Sequence, residues 1–339
     1  MRKFIQHTLL AGLLTTAACC SQAQVGLQRQ NFVIAHGDGG TEEAIGLIWY
    51  PTSTPSTLLR LGPFEVNATR GAPPAEGRHP LLLISHGTGG NELGHAWLAQ
   101  ALAAEGYIVV TPRHPGDNFE DRSRVSRPAF LVERPQQLSG VLDKLLADPK
   151  WAALIDPTRI AAVGHSAGGH SVLALAGGQV DTALFLNHCS ASGAGLKGDP
   201  ALCALAGFNT ERPAPMRTAG APRDAKDTRI RAVVAEAPMG QALDAASLGR
   251  LRLPVLIEVP LADKVLLPAF NGERLCQAMP SARCERSPSA GHFAAFQAGT
   301  GRLGSDAGDP SEDTLGFDRL AWQAGALARI RSFLAEALR

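Results

Sequence analysis

The stretch Arg159-Ile-Ala-Ala-Val-Gly-His-Ser-Ala-Gly-Gly169 decides the fold. Residues 160–163 are a short apolar run of the kind that forms a buried strand. Gly164-His165-Ser166-Ala167-Gly168 follows, and residues 170–176 continue as a helix. A G-x-S-x-G pattern between strand and helix is a nucleophile elbow, a tight turn that exposes the serine hydroxyl. Glycine at the flanking positions lets the strand and helix backbones approach closely. In a chain with 36 glycines the pattern alone is weak. The bland alternative is a loop serine capping a helix. The surrounding chain decides between them.

Upstream, Pro80-Leu-Leu-Leu-Ile-Ser85 is a continuous apolar run, the mark of a strand buried on both faces. A helical pattern over 97–104 ends at Gly106, and Tyr107-Ile-Val-Val-Thr111 is the next strand, halted by Pro112. Residues 135–146 have the spacing of an amphipathic helix. Downstream, 230–235, 254–259 and 282–287 read as strands, and 271–279 and 320–338 as helices. Residues 31–50 suggest one or two edge strands, with a further strand at 58–61. Alternating strands and helices predict an α/β fold, a mostly parallel sheet with helices on both faces. Right-handed crossovers then bring the C-terminal ends of its strands to one edge. Residues 185–229 break this rhythm and are expected to form a cap or lid insertion over that edge.

A serine nucleophile needs a base and an acid, in this fold in the chain order Ser, acid, His. His292, in Ser289-Ala-Gly-His-Phe293 just past the last strand, is the candidate base. Asp263, in a short loop after the 254–259 strand, is the candidate acid that would orient it. Glu236, at the end of the preceding strand, is the competing acid. His188 follows Ser166 too closely for the base and falls in the expected cap. Acyl transfer also needs N–H donors for the oxyanion. The Ala167 N–H supplies one. The second is expected from His86-Gly-Thr-Gly-Gly90, with Thr88 first and Gly89 as the alternative. His165 is expected to pack or cap. His114 and Asp117 are expected either to line the pocket or to fix a turn. His36-Gly-Asp-Gly-Gly40 lacks the frame of a phosphate loop and reads as a turn.

The chain has 339 residues, 45% hydrophobic and 19% charged, with a net charge of +1. That is a globular composition, and neither a basic surface nor its 5% aromatic content argues for nucleic acid. Arg2 and Lys3, the apolar residues 9–18 and Ser21-Gln22-Ala23 read as a signal peptide over 1–23, ahead of a catalytic domain over 24–339. Cys19 and Cys20 leave lipid anchoring open beside soluble export, and a membrane partner is expected only if one of them is lipidated. Export implies an oxidising compartment, and Cys189, Cys203, Cys276 and Cys284 suit two disulfides. Local pairing, Cys189 with Cys203 and Cys276 with Cys284, is the simplest of three connectivities. No metal or organic cofactor is implied.

These motifs together resemble the α/β-hydrolase superfamily from about Phe32 onward. The chain more narrowly resembles bacterial "predicted dienelactone hydrolase" proteins related to platelet-activating-factor acetylhydrolase. That likeness rests on Leu47-Ile-Trp-Tyr-Pro51, Ser85-His-Gly-Thr-Gly-Gly90, His114-Pro-Gly-Asp117 and Arg134-Pro-Gln-Gln-Leu138 before Val141-Leu142-Asp143. True dienelactone hydrolases carry a cysteine where this chain has Ser166. The acetylhydrolase relatives draw their acid from the strand that maps onto Glu236. The resemblance implies an exported serine hydrolase that cleaves carboxylic esters. A lipase, polyesterase or lactonase on the same residues is the rival, and a catalytically silent binding protein is the rival of another class.

Overall fold

The computed structural model describes residues 24–35, 39–217, 221–305 and 307–339. The expected signal peptide with Cys19 and Cys20 lies outside the described residues, as do positions 36–38 of the expected turn. The strands are β1 (Val25–Ala35), β2 (Thr41–Pro51), β3 (Thr57–Leu61), β4 (Phe64–Arg70), β5 (His79–Ser85), β6 (Ile108–Pro112), β7 (Ile155–His165), β8 (Ile230–Glu236), β9 (Val255–Pro260) and β10 (Arg283–Ser287). The helices are α1 (Ala96–Ala104), α2 (Phe130–Ala147), α3 (Pro149–Leu154), α4 (Ala167–Leu175), α5 (Thr182–His188), α6 (Gly195–Gly198), α7 (Pro200–Leu205), α8 (Ala245–Leu248), α9 (Gly272–Ala278) and α10 (Arg319–Ala337).

The strands form one sheet in the order β10-β9-β8-β7-β5-β6-β2-β1-β4-β3. From β10 to β6 every pairing is parallel. The alternation of β5 explains its burial on both sides. Leu81 and Leu83 pack into one core with α2 and α4, whereas Leu82 and Ile84 pack into another with α1 and α10. Such a strand carries no polar face, which is why the sequence shows an unbroken apolar run.

Two expectations need correction. The strands over 31–50 are not at the edge: β2 pairs with β6, and β1 lies between β2 and β4. The outer edge of β1 is covered by a β3–β4 hairpin, of which only β3 had a sequence signal. The helix expected from 135 begins at Phe130, so Pro135 lies inside it. Proline has no N–H to give the carbonyl four residues back. That carbonyl, on Leu131, is served instead by His170 Nε2 of α4 at 2.9 Å.

Candidate active site

The sheet ends assemble the site. Strand β7 runs into α4 through Ser166, whose backbone sits at φ 57 and ψ −118. A serine tolerates this left-handed turn only where its surroundings hold it there. A Cβ on Gly164 would lie 2.1 Å from the Gly168 carbonyl oxygen, so glycine is required for the turn to close.

Ser166, His292 and Asp263 meet across three loops. Ser166 Oγ lies 3.1 Å from His292 Nε2, and His292 Nδ1 lies 2.7 Å from Asp263 Oδ2. All three are buried, with at most 6% of any of them exposed. This arrangement assigns the proton to Nδ1, donating to the carboxylate, and leaves Nε2 to accept from the serine. The other Asp263 oxygen accepts the N–H groups of Val265 and Leu266, both at 2.8 Å. The acid loop is stitched to the histidine loop by Ala262 N–H donating to the Ala290 carbonyl at 3.0 Å. His165 donates through Nε2 to the His292 carbonyl at 2.7 Å, so it supports the histidine from behind.

Glu236 is also buried, but it does not meet His292. Among the described residues its carboxylate has no hydrogen-bond partner, and the nearest opposing group is His95 Nε2 at 3.7 Å. Burial, reinforced by Glu258, pushes the Glu236 carboxyl well above the usual range. Burial likewise holds His95 down to about 4, leaving that imidazole neutral.

The 86–90 loop carries the expected oxyanion donors. Gly89 N–H is taken by Asp117 Oδ1 at 2.7 Å and is not available to a substrate. Among the described residues no acceptor takes the Thr88 N–H. The Ala167 N–H stands at the first turn of α4, where N–H groups lack partners within the helix. A buried polar network fixes this loop. Asp117 pairs with Arg134, and Arg134 also donates to the His86 carbonyl. His86 donates through Nδ1 to the Gly87 carbonyl at 2.7 Å and accepts the His114 N–H on Nε2 at 3.1 Å. His114 is held in turn by Ser85 Oγ and Gln137 Oε1, each at 2.8 Å. Burial and the Arg134 guanidinium hold both imidazoles well below the ordinary histidine range. That agrees with the one-donor, one-acceptor pattern each makes. His114 and Asp117 therefore fix the 86–90 loop, and Asp117 also reaches the pocket wall.

Ser166 stands where two cavities meet. The smaller, about 50 Å³, is walled by α2 and by residues of α5 and α7 such as Phe185 and Leu202. The larger, about 490 Å³, is walled by the β3–β4 turn, Phe293, Phe296, Arg302–Ser305, Ala307 and Pro310. Sequence reasoning missed both outer walls of the larger cavity. Leu61 falls in the strand expected over 58–61, residues 62–64 carry no reading of their own, and 302–310 carry no periodic pattern. They are brought together by Thr300, whose N–H and hydroxyl both donate to the Pro63 carbonyl at 2.8 and 3.2 Å. The structure joins Cys189 to Cys203, tying α5 to α7, and Cys276 to Cys284. Among the described residues no cluster suited to a metal ion occurs.

A sequence profile described as "Alpha/beta hydrolase family" matches residues 81–301. Cutinase est2 of Thermobifida alba is 29% identical over 148 residues, which is 39% of this chain and 46% of that protein. Cutinase cut1 of Thermobifida fusca is 28% identical over 148 residues, 39% of this chain and 43% of that protein. The chain thus spans about half the length of the curated relatives it matches. Among solved structures, a ferulic acid esterase from Streptomyces cinnamoneus superposes with a TM-score of 0.54 at 21% identity, covering 83% of this chain and 78% of that one. That likeness is one of fold.

Proposed function

The chain belongs to the alpha/beta hydrolase family, and on that premise we propose that it is an exported serine hydrolase of carboxylic esters. The observation that carries the reading is the continuous contact from Ser166 Oγ through His292 to Asp263. Ser166 attacks the ester carbonyl while its proton passes to His292 Nε2. Asp263 holds the imidazole in the receptive tautomer and stabilises the imidazolium. The tetrahedral oxyanion is held by the N–H groups of Thr88 and Ala167. Loss of one such donor costs on the order of 10²–10³ in kcat. His292 then protonates the departing alcohol, and water, activated by the same histidine, releases the acid from Ser166.

Residues 185–229 act in this reading as the cap, which α5 and α7 support by walling the smaller cavity. The signal-peptide pattern and the two disulfides support export. The narrower likeness to dienelactone hydrolase-like and acetylhydrolase-like proteins is supported by His114, Asp117, Arg134 and Gln137. All four of those motif residues belong to the network under the oxyanion loop. A second reading, cutinase activity, is favoured by the names of the curated relatives.

A fluorophosphonate probe tests the reading. Wild-type protein is expected to label and Ser166→Ala not to label. An unlabelled wild type, or undiminished labelling of Ser166→Ala, overturns it.

A further inference from the structure

The two cavities flanking Ser166 differ in size, and only one of them is lined by His292. The imidazole that protonates the leaving oxygen must lie within hydrogen-bond reach of it, about 2.6–3.2 Å. The alcohol portion of a bound ester therefore occupies the cavity that His292 lines, the larger one. The acyl portion, with its carbonyl oxygen turned to Thr88 and Ala167, is left the smaller one, which both of those donors line.

The geometry points to short-chain acyl esters, acetates and propionates, of bulky aromatic alcohols as the substrate class. This rests on the ester-hydrolase reading above and narrows it. An apolar cavity of about 150 Å³ is the size that holds benzene. The acyl side, at about 50 Å³, has room for two or three carbons and excludes an aromatic ring. It cannot deepen easily, because Asp117 and Arg134 reach its wall and their buried ion pair is committed to the oxyanion loop. Its opposite wall is fixed by the Cys189–Cys203 bridge between the helices that carry Phe185 and Leu202. The alcohol side, at about 490 Å³, lies within the range of drug-sized pockets. Phe64, Phe119, Phe293 and Phe296 line it, and aromatic rings pack well against such walls. Arg113 does not make it an anion site, since its guanidinium is occupied by Glu92 and Glu120.

Two isomeric esters test the assignment with matched leaving-group chemistry, 2-naphthylmethyl acetate and methyl 2-naphthylacetate. The first puts the ring on the alcohol, the second on the acyl group. The wild-type enzyme is expected to favour the acetate in kcat/KM by on the order of 10²-fold, the scale by which a pocket rejects groups it cannot hold. Leu202→Ala, which enlarges the small cavity, is expected to narrow that ratio and to raise hexanoate over acetate turnover by about tenfold. Phe296→Ala, in the large cavity, is expected to raise KM for the naphthylmethyl ester and leave the hexanoate-to-acetate ratio unchanged. An enzyme that labels with fluorophosphonate yet cleaves both isomers equally, or prefers the naphthylacetate, overturns the assignment and leaves the hydrolase reading standing. Absence of both labelling and turnover overturns both.

Discussion

Strands β8 and β9 lie side by side, run parallel, and each delivers a buried carboxylate to the same edge of the sheet, yet only the one from β9 reaches His292. Glu236 is still inside its strand, in register with His165 on one side and Glu258 on the other. Its side-chain direction is fixed by the pleat. Asp263 comes three residues after the end of β9, in a loop whose backbone is bonded to the residues around the histidine. A strand end brings a residue to the right edge, but the loop beyond it aims the side chain. The consequence is electrostatic as well as geometric. Asp263 gains an imidazole N–H and two backbone N–H groups. Glu236 gains none, and burial pushes its carboxyl well above the usual range.

The largest expected effect would break this comparison outright. Asp263→Asn is expected to lower kcat by about 10⁴ by presenting the histidine in the wrong tautomer, while Glu236→Gln changes kcat by no more than a few-fold. Steady-state kinetics on p-nitrophenyl acetate decide it, and the reverse pattern would make Glu236 the working acid. Asp117 offers a third buried carboxylate, neither orphaned nor facing the histidine. Asp117→Asn is expected to cost about 10²–10³ in kcat by loosening the 86–90 loop. It is also expected to cost about 3–5 kcal/mol of stability by leaving Arg134 buried without its counter-charge. Urea unfolding and kinetics measured together separate the two, and an unchanged kcat in folded variant would show that the loop stands without this support.

The smallest effect concerns pH. A carboxyl raised on folding contributes stability that is present below its unfolded pKa and lost as pH climbs through its folded value. Glu236→Gln removes that loss. The variant is expected to match wild type below about pH 4.3, the usual glutamate value, and to exceed it by about 1.4 kcal/mol for each pH unit above that until the folded value is reached. Tm measured against pH for both proteins checks this. Parallel curves would mean that Glu236 has a partner.

What the sequence discloses follows the reach of its signals. Strands β5 to β9 and the elbow were legible because burial on both faces and the glycine-bracketed turn leave local patterns. His292 and Asp263 were placed by strand ends and chain order. The choice between Asp263 and Glu236 was not legible, because it depends on the Ala262–Ala290 contact between separate loops. The β4 strand was hidden for a related reason: residues 64–70 lie among Pro, Gly and Thr, and the strand is defined by its pairing with β1 and β3. Pro135 inside α2 misled because its remedy, the His170 ring, comes from another helix. The cavity walls at 61–64 and at Arg302–Ser305, Ala307 and Pro310 have meaning only once Thr300 meets the Pro63 carbonyl.

Gly168 touches strand β5 so closely that a Cβ there would fall 2.0 Å from the Ser85 carbonyl oxygen. Main chain therefore abuts main chain between the helix that Ser166 opens and the strand that leads into the Thr88 loop, with no side chain between them to vary. This contact works as a fixed jig. It sets the gap between Ser166 and the Thr88 loop to one value. The cavity walls on α5, α7, Arg302–Ser305, Ala307 and Pro310 hang from other parts of the chain. Under the proposed reaction, appetite and reactivity are thereby mounted separately: new walls can be fitted around an unchanged reaction centre, whereas any added atom at Gly168 would be felt by all substrates alike.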